Sequence, residues 1–295
     1  ALGDDLGLVR AWRLIGDVHW NHARYGAADD ALAHAIEHAR RAGAKHEEAD
    51  ALGKYMGSGV YGPAPVEEIE RRCDELLPIS SGTGYEAPAL TALAWVRAMK
   101  GRFAEASVLL GRSRAIYEDL GLRLRLAFVA ETAGGIELLA GDAIAAEREF
   151  RTCLAALAEM GEQGIQSTVA AALAHALIEQ GRFDEAEELV SASELTGAED
   201  DVSTQVLGRS ARARIEAGRG RQAEAERLAR EAVALSEATD DLNMRGDTLV
   251  DLGEVLSAGG VSYEAATATQ PVSTEVAAAA TAVGAADTKP LRIGI

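Results

Sequence analysis

Two spacings in the sequence have the form of chemical sites. Gly57-Ser58-Gly59-Val60-Tyr61-Gly62 has the G-x-G-x-x-G spacing that lets a backbone approach a dinucleotide pyrophosphate. That chemistry needs a strand before the glycines and a helix opening from them. Here Gly57 falls inside a helical stretch, so the motif reads as part of a helix. No G-x-x-x-x-G-K-[ST] phosphate loop occurs. His34 and His38 stand one helical turn apart and could share a metal ion, with His19 and His22 nearby. No third ligand of definite spacing accompanies them, and the pair falls on the outer face of its helix. Cys73 and Cys153 lack an activating partner and fall at core positions, where a thiol behaves as a small hydrophobe. No acid, base and nucleophile converge, so an enzyme is the least favoured reading, and no cofactor is expected.

The elements that carry these residues repeat. A small residue returns about every 40 positions, at Gly16, Gly57, Ala94, Gly134, Ala174, Ala213 and Gly253. Twelve residues after each comes a second marker, Ala28, Ile69, Ala106, Ala146, Ala186, Ala225 and Ala265. A turn lies between them, as in Gly101-Arg102-Phe103, Gly141-Asp142 and Gly181-Arg182-Phe183. A fixed period in this range means stacked supersecondary units. Each unit reads as two helices. The A helices are expected near 8–22, 47–60, 85–100, 123–140, 166–180, 202–217 and 243–258, and the B helices near 26–42, 65–77, 104–120, 143–160, 184–196 and 221–239. One small residue on A and one on B let the two backbones approach, and a larger side chain there would overpack.

Composition bounds the rest. The chain has 295 residues, 48% hydrophobic but only 4% aromatic, so its core is built from Ala, Leu, Val and Ile. Its net charge of −18 argues against nucleic acid and anionic membranes as partners and is compatible with a basic one. Two cysteines without a metal or disulfide pattern fit a reducing, cytoplasmic setting. No apolar run is long enough to span a membrane. The start at Ala1 has no initiator Met and no signal-peptide pattern, and the chain is expected to be a piece of something longer. After Gly260 the pattern decays and Pro271 interrupts it. This divides the chain into a repeat domain, 1–260, and an Ala/Thr-rich tail or degenerate cap, 261–295.

The paired markers, the Gly-x-Phe turns and phrases such as Arg221-Gln222-Ala223-Glu224-Ala225-Glu226-Arg227-Leu228 resemble the tetratricopeptide repeat. The units, at about 40 residues, exceed that repeat's usual length. They look like the longer units of large bacterial signalling proteins, which join such repeats to an AAA- or STAND-type ATPase and a nucleotidyl cyclase or LuxR-type module. The resemblance implies an all-α, right-handed superhelical solenoid of about seven hairpins that binds on a concave face made by its A helices. Its function would be to hold a peptide or partner helix, or the ATPase or cyclase module of the same parent, by Arg pairing and aromatic packing. Carried over residue by residue, the lining comprises Arg10, Arg13, Asp17, Trp20 and Asn21 in the first unit. Lys54, Ser58 and Tyr61 follow, then Thr91 and Trp95, then Phe128, Glu131, Thr168 and His175. Ser210, Arg214, Asp247 and Glu254 complete it. Arg10, Arg13, Trp20, Lys54, Tyr61, Trp95, His175 and Arg214 are the principal candidates. Trp12 falls on the apolar face of its helix. The alternative is an effector-sensing repeat domain, which a deep pocket near Trp95 and His175 would favour.

Overall fold

The computed structural model of the chain describes residues 4–80 and 82–260. Thirteen helices and no strand occur among them. The A helices are α1 (Asp5–Asn21), α3 (Lys45–Tyr61), α5 (Glu86–Met99), α7 (Arg123–Leu139), α9 (Gln166–Glu179), α11 (Val202–Gly218) and α13 (Leu242–Ala258). The B helices are α2 (Tyr25–Ala42), α4 (Val66–Ser80), α6 (Phe103–Asp119), α8 (Ala143–Met160), α10 (Phe183–Thr196) and α12 (Gln222–Glu237). The expected boundaries hold to within a few residues. The main difference is α4, which runs through Pro78 rather than stopping before it. In the last turn of a helix the missing N–H forfeits only one backbone bond. Residues 261–295, expected to form a tail or cap, lie outside the described residues, as does Ser81.

The chain forms two compact units. The first takes the described residues up to Ala133 together with Thr239–Asp241, and the second takes Gly134–Ala238 and the described residues from Leu242. Within each, an A helix packs on its own B helix and on the next A helix. In the first, α1 meets α2, α5 meets α6, and α3 meets α5; in the second, α9 meets α10, α11 meets α12, and α9 and α13 both meet α11. The sequence accounts for the punctuation. Gly101 and Gly181 hold φ of 71° and 73° after their A helices, a left-handed conformation that costs glycine little. Asp142 and Asp201 cap α8 and α11, accepting from Ala145 N at 2.9 Å and Thr204 N at 3.1 Å. Helix α2 has no such cap of its own, since Arg24 occupies the position. Asp240 supplies it, with Oδ1 accepting from Tyr25 N at 2.6 Å and Oδ2 from Gly26 N at 2.8 Å.

The markers sit where the helices meet. Ala94, Ala174 and Ala213 are fully buried, as are Ala28, Ala106, Ala146, Ala186 and Ala225. A Cβ on Gly134 would lie 2.6 Å from the Phe150 ring, and one on Gly16 would lie 3.1 Å from Leu32. Ile69, the exception among the second markers, is buried against extra glycine on its partner helix. A Cβ on Gly59 would touch Ile69 at 3.5 Å, while one on Gly57 would strike Trp20 at 2.7 Å. Gly62 ends α3 with Tyr25 Cβ 2.8 Å from where its own Cβ would be. The dinucleotide-like glycines are thus three packing positions in and beside one helix. Both cysteines are buried, and neither is in a disulfide.

Gly253 breaks the pattern: it is exposed, and an added Cβ would meet nothing within 4 Å among the described residues. One substitution should therefore have opposite effects at two equivalent positions. Gly134→Ala should destabilise by about 1–3 kcal/mol through overpacking. Gly253→Ala should stabilise by up to about 1 kcal/mol through helix propensity. Thermal melts of both variants check this; shifts of the same sign would contradict the packing role of the marker.

Candidate binding site

The cations expected to face a partner are largely spent inside the fold. Arg13 on α1 pairs with Asp50 on α3 at 3.1 Å, and Asp50 also takes Arg125 on α7 at 3.1 Å. Lys54 on α3 pairs back to Asp17 on α1. In the second unit Arg214 on α11 reaches Glu179 on α9 and Glu254 on α13, each at 2.8 Å. The residues were read on the right helices, but successive A helices lie close enough for carboxylates one repeat away to neutralise them. Arg10 is the exception, exposed and without an ion pair among the described residues. Ser58 is buried and donates to Asp29 at 2.8 Å, so it holds α3 to α2 rather than facing outward. Thr91 pairs with Ser113 at 2.9 Å, and Thr168 with Thr204 at 2.6 Å.

His175 is only 3% exposed, so it belongs to the core and not to a lining. Its Nε2–H donates to the Leu207 carbonyl at 3.1 Å, while Nδ1 lies 3.8 Å from Asp251 Oδ2. Ser210 is beside them, but its hydroxyl donates to Asp251 at 2.5 Å. A serine is activated when its hydroxyl meets the imidazole, and here it meets the carboxylate instead. This trio is therefore a buried polar joint between α9, α11 and α13. On the outer side, His34 stacks on Trp12 at 4.6 Å and His38 Nδ1 sits 2.7 Å from Asp5. Trp12 is half-buried against Ala35, Ile36, Ala51 and Leu52. The Cys73 thiol, pushed up to about 12 by burial, donates to the Ala89 carbonyl at 3.5 Å and is inert.

What the first unit does bring together is aromatic. Trp20, Tyr61 and Trp95, from α1, α3 and α5, meet edge to face, with centroids 6.0 Å apart for Trp20–Tyr61 and 6.4 Å for Tyr61–Trp95. Tyr25 at the start of α2 joins them, 5.1 Å from Trp20 and 5.6 Å from Tyr61. Tyr61 and Trp95 rest on a core of Met56, Val60, Ile69, Cys73 and Val96. Trp95 Nε1 lies beside the Tyr61 hydroxyl without making a well-formed hydrogen bond. Two acids border the cluster. The Tyr61 phenol is pushed well up by burial, and then by the fields of Glu131, Tyr25 and Asp241. Glu131 on α7 has no hydrogen-bonding or ionic partner among the described residues, and burial raises its carboxyl to about 7. The sequence named Trp20, Tyr61, Trp95 and Glu131. It gave no sign of Tyr25, on a B helix, or of Asp241, because both arrive through long-range packing.

No family model matches the sequence, and no curated protein matches it. Among solved structures the chain is similar to a Rap protein complexed with competence and sporulation factor. The identity is 14% and the TM-score 0.55, over 85% of this chain and 75% of that one. It is also similar to BtubC (BKLC) from P. vanneervenii, at 16% identity and TM-score 0.50, over 76% of this chain and 93% of that one. The fold is an all-α solenoid of tetratricopeptide-like hairpins. At these identities the likeness is one of fold. No helix among the described residues is long and apolar enough to cross a membrane.

Glu131 makes a pH prediction. An acid whose folded pKa lies above its unfolded value stabilises the fold while it is protonated. That contribution is complete below about 4.5 and is lost as pH rises through about 7. Glu131→Gln should therefore gain melting temperature relative to the wild type between about pH 5 and about pH 8. A difference that stays constant over that range would contradict the buried carboxyl.

Proposed function

We propose that this chain is a non-catalytic binding module that holds a basic, partly apolar peptide or partner helix on its A helices. The observation that carries the reading is the run of Trp20, Tyr61 and Trp95 across three successive A helices, bordered by Glu131. Aromatic faces and an unpaired carboxyl together suit a Lys or Arg side chain, through cation–π contact and charge pairing. The net charge of −18 would steer such a partner in. Arg pairing of an acidic partner is the weaker form of the reading, since Arg13, Lys54 and Arg214 already have carboxylates. Of the cations first considered, Arg10 remains for that role. The Rap neighbour is a complex with competence and sporulation factor, which fits a role in holding a partner. The parent would be a bacterial signalling protein, with its ATPase or cyclase module as one partner that such a surface could hold.

Titration of the full chain with an amphipathic Lys/Leu peptide and its Glu/Leu counterpart tests this, read by tryptophan fluorescence and calorimetry. The Lys/Leu peptide should bind and the Glu/Leu peptide should not. Trp95→Ala and Glu131→Gln should each weaken binding by about tenfold or more, that is ~1.4 kcal/mol. Equal binding of both peptides, or no loss in either variant, would refute the proposed site.

A further inference from the structure

The second unit contains a cavity of about 360 Å³ between α10, α11 and α12, lined in part by Ser193, Gln205, Gly208, Arg209, Leu228 and Glu231. That size is at the small end of ligand sites. Two departures from the repeat create it. Gly208 stands five residues before the Ala213 marker, where other repeats carry Leu52, Ala89, Val129 and Val169, all buried. Gly208 is buried too, yet a Cβ there would meet nothing within 4 Å among the described residues. The space that a side chain fills elsewhere is left open.

The second departure is Ser193. Its counterpart in the third repeat, Ser113, donates to the Ala87 carbonyl at 3.1 Å and pairs with Thr91 Oγ1 at 2.9 Å. The fifth repeat has Ala171 where the third has Thr91. Ser193 is 1% exposed, and its Oγ has no hydrogen-bond partner among the described residues. A buried hydroxyl left unpaired is a standing cost that a guest could relieve.

The mouth carries two charges side by side, each only partly committed. Arg209 uses Nη1 on Gln205, at 2.6 Å to Oε1 and 3.2 Å to the carbonyl. Its Nε lies 4.0 Å from Glu231 Oε2, too far for a hydrogen bond. Glu231 gives its other oxygen to Arg227. The remaining polar lining is committed elsewhere. Glu194 holds Arg212 with both oxygens, and Thr204 Oγ1 bonds Asp201 and Thr168. A donor edge next to an acceptor, over a part-apolar cavity with one lone hydroxyl, complements a small zwitterion with a hydrogen-bonding side chain.

We propose that this cavity binds a free α-amino acid. Its carboxylate meets Arg209 and its ammonium group meets Glu231. A short polar side chain passes Leu228 into the space left by Gly208 and bonds Ser193 Oγ. The site lies wholly in the second unit and the aromatic cluster wholly in the first, so either assignment can fail without the other.

The test is titration of the full chain with L-threonine, L-glutamine, L-alanine and N-acetyl-L-threonine amide, followed by amide NMR shifts. Threonine or glutamine should saturate. Arg209→Ala should weaken the tighter of the two by about tenfold or more, the scale of a lost charge-assisted bond. Ser193→Ala should remove its advantage over alanine. Gly208→Leu should abolish binding while keeping or raising the melting temperature. Gly208→Ala, a smaller filling, should weaken binding and serves if the Leu variant does not fold. Absence of saturation by threonine and glutamine would overturn the proposal. So would equal affinity for the blocked threonine amide, which would favour a peptide segment as guest, or unchanged affinity in the Gly208 variant that folds.

Discussion

The constraint on which the rest depends is the close approach of each A helix to its neighbours at a residue with little or no side chain. The buried alanines and glycines set that distance, and almost every other feature follows from it. Large side chains are pushed to the edges of each contact, where Phe150 lies over Gly134 and Trp20 over Gly57. Where one partner grows, the other shrinks, as with Ile69 opposite Gly59. A core of this kind has little room for error, because alanine contributes small area and must be packed without gaps. The open space at Gly208 is therefore notable in a way that it would not be in a core of leucines.

The same closeness decides what the charges do. Successive A helices bring Arg13 to Asp50, Lys54 to Asp17, and Arg214 to Glu179 and Glu254, each across one repeat. These pairs are partly buried and hold neighbouring repeats in register more than they reach outward. The excess of carboxylates over cations is the ground for the basic partner proposed above. The aromatic cluster beside Glu131 is where apolar contact and charge coincide.

Much of this was legible in residue types and spacing. The period placed thirteen helices, assigned both cysteines to the core and read the Gly57–Gly62 motif as helix. It also named Trp20, Tyr61, Trp95 and Glu131, which the fold brings close together. It erred over His175, Ser58 and the paired cations, which share a helix with exposed residues but face inward or sideways. Helix boundaries read from sequence drift by a few residues. A rotation of one residue turns a side chain by roughly 100°, enough to move it from solvent to core.

The sequence by itself determined the hairpins, because small residues at fixed spacing mark where one helix packs closely on the next. Only the tertiary structure decided which polar groups remain available. Asp240 reaching the start of α2 and Tyr25 joining Tyr61 both depend on contacts between residues far apart in the chain or one repeat removed. Local periodicity records which face a residue prefers. It does not record which partner that face will meet, and pairing is what separates a structural charge or hydroxyl from one that can bind.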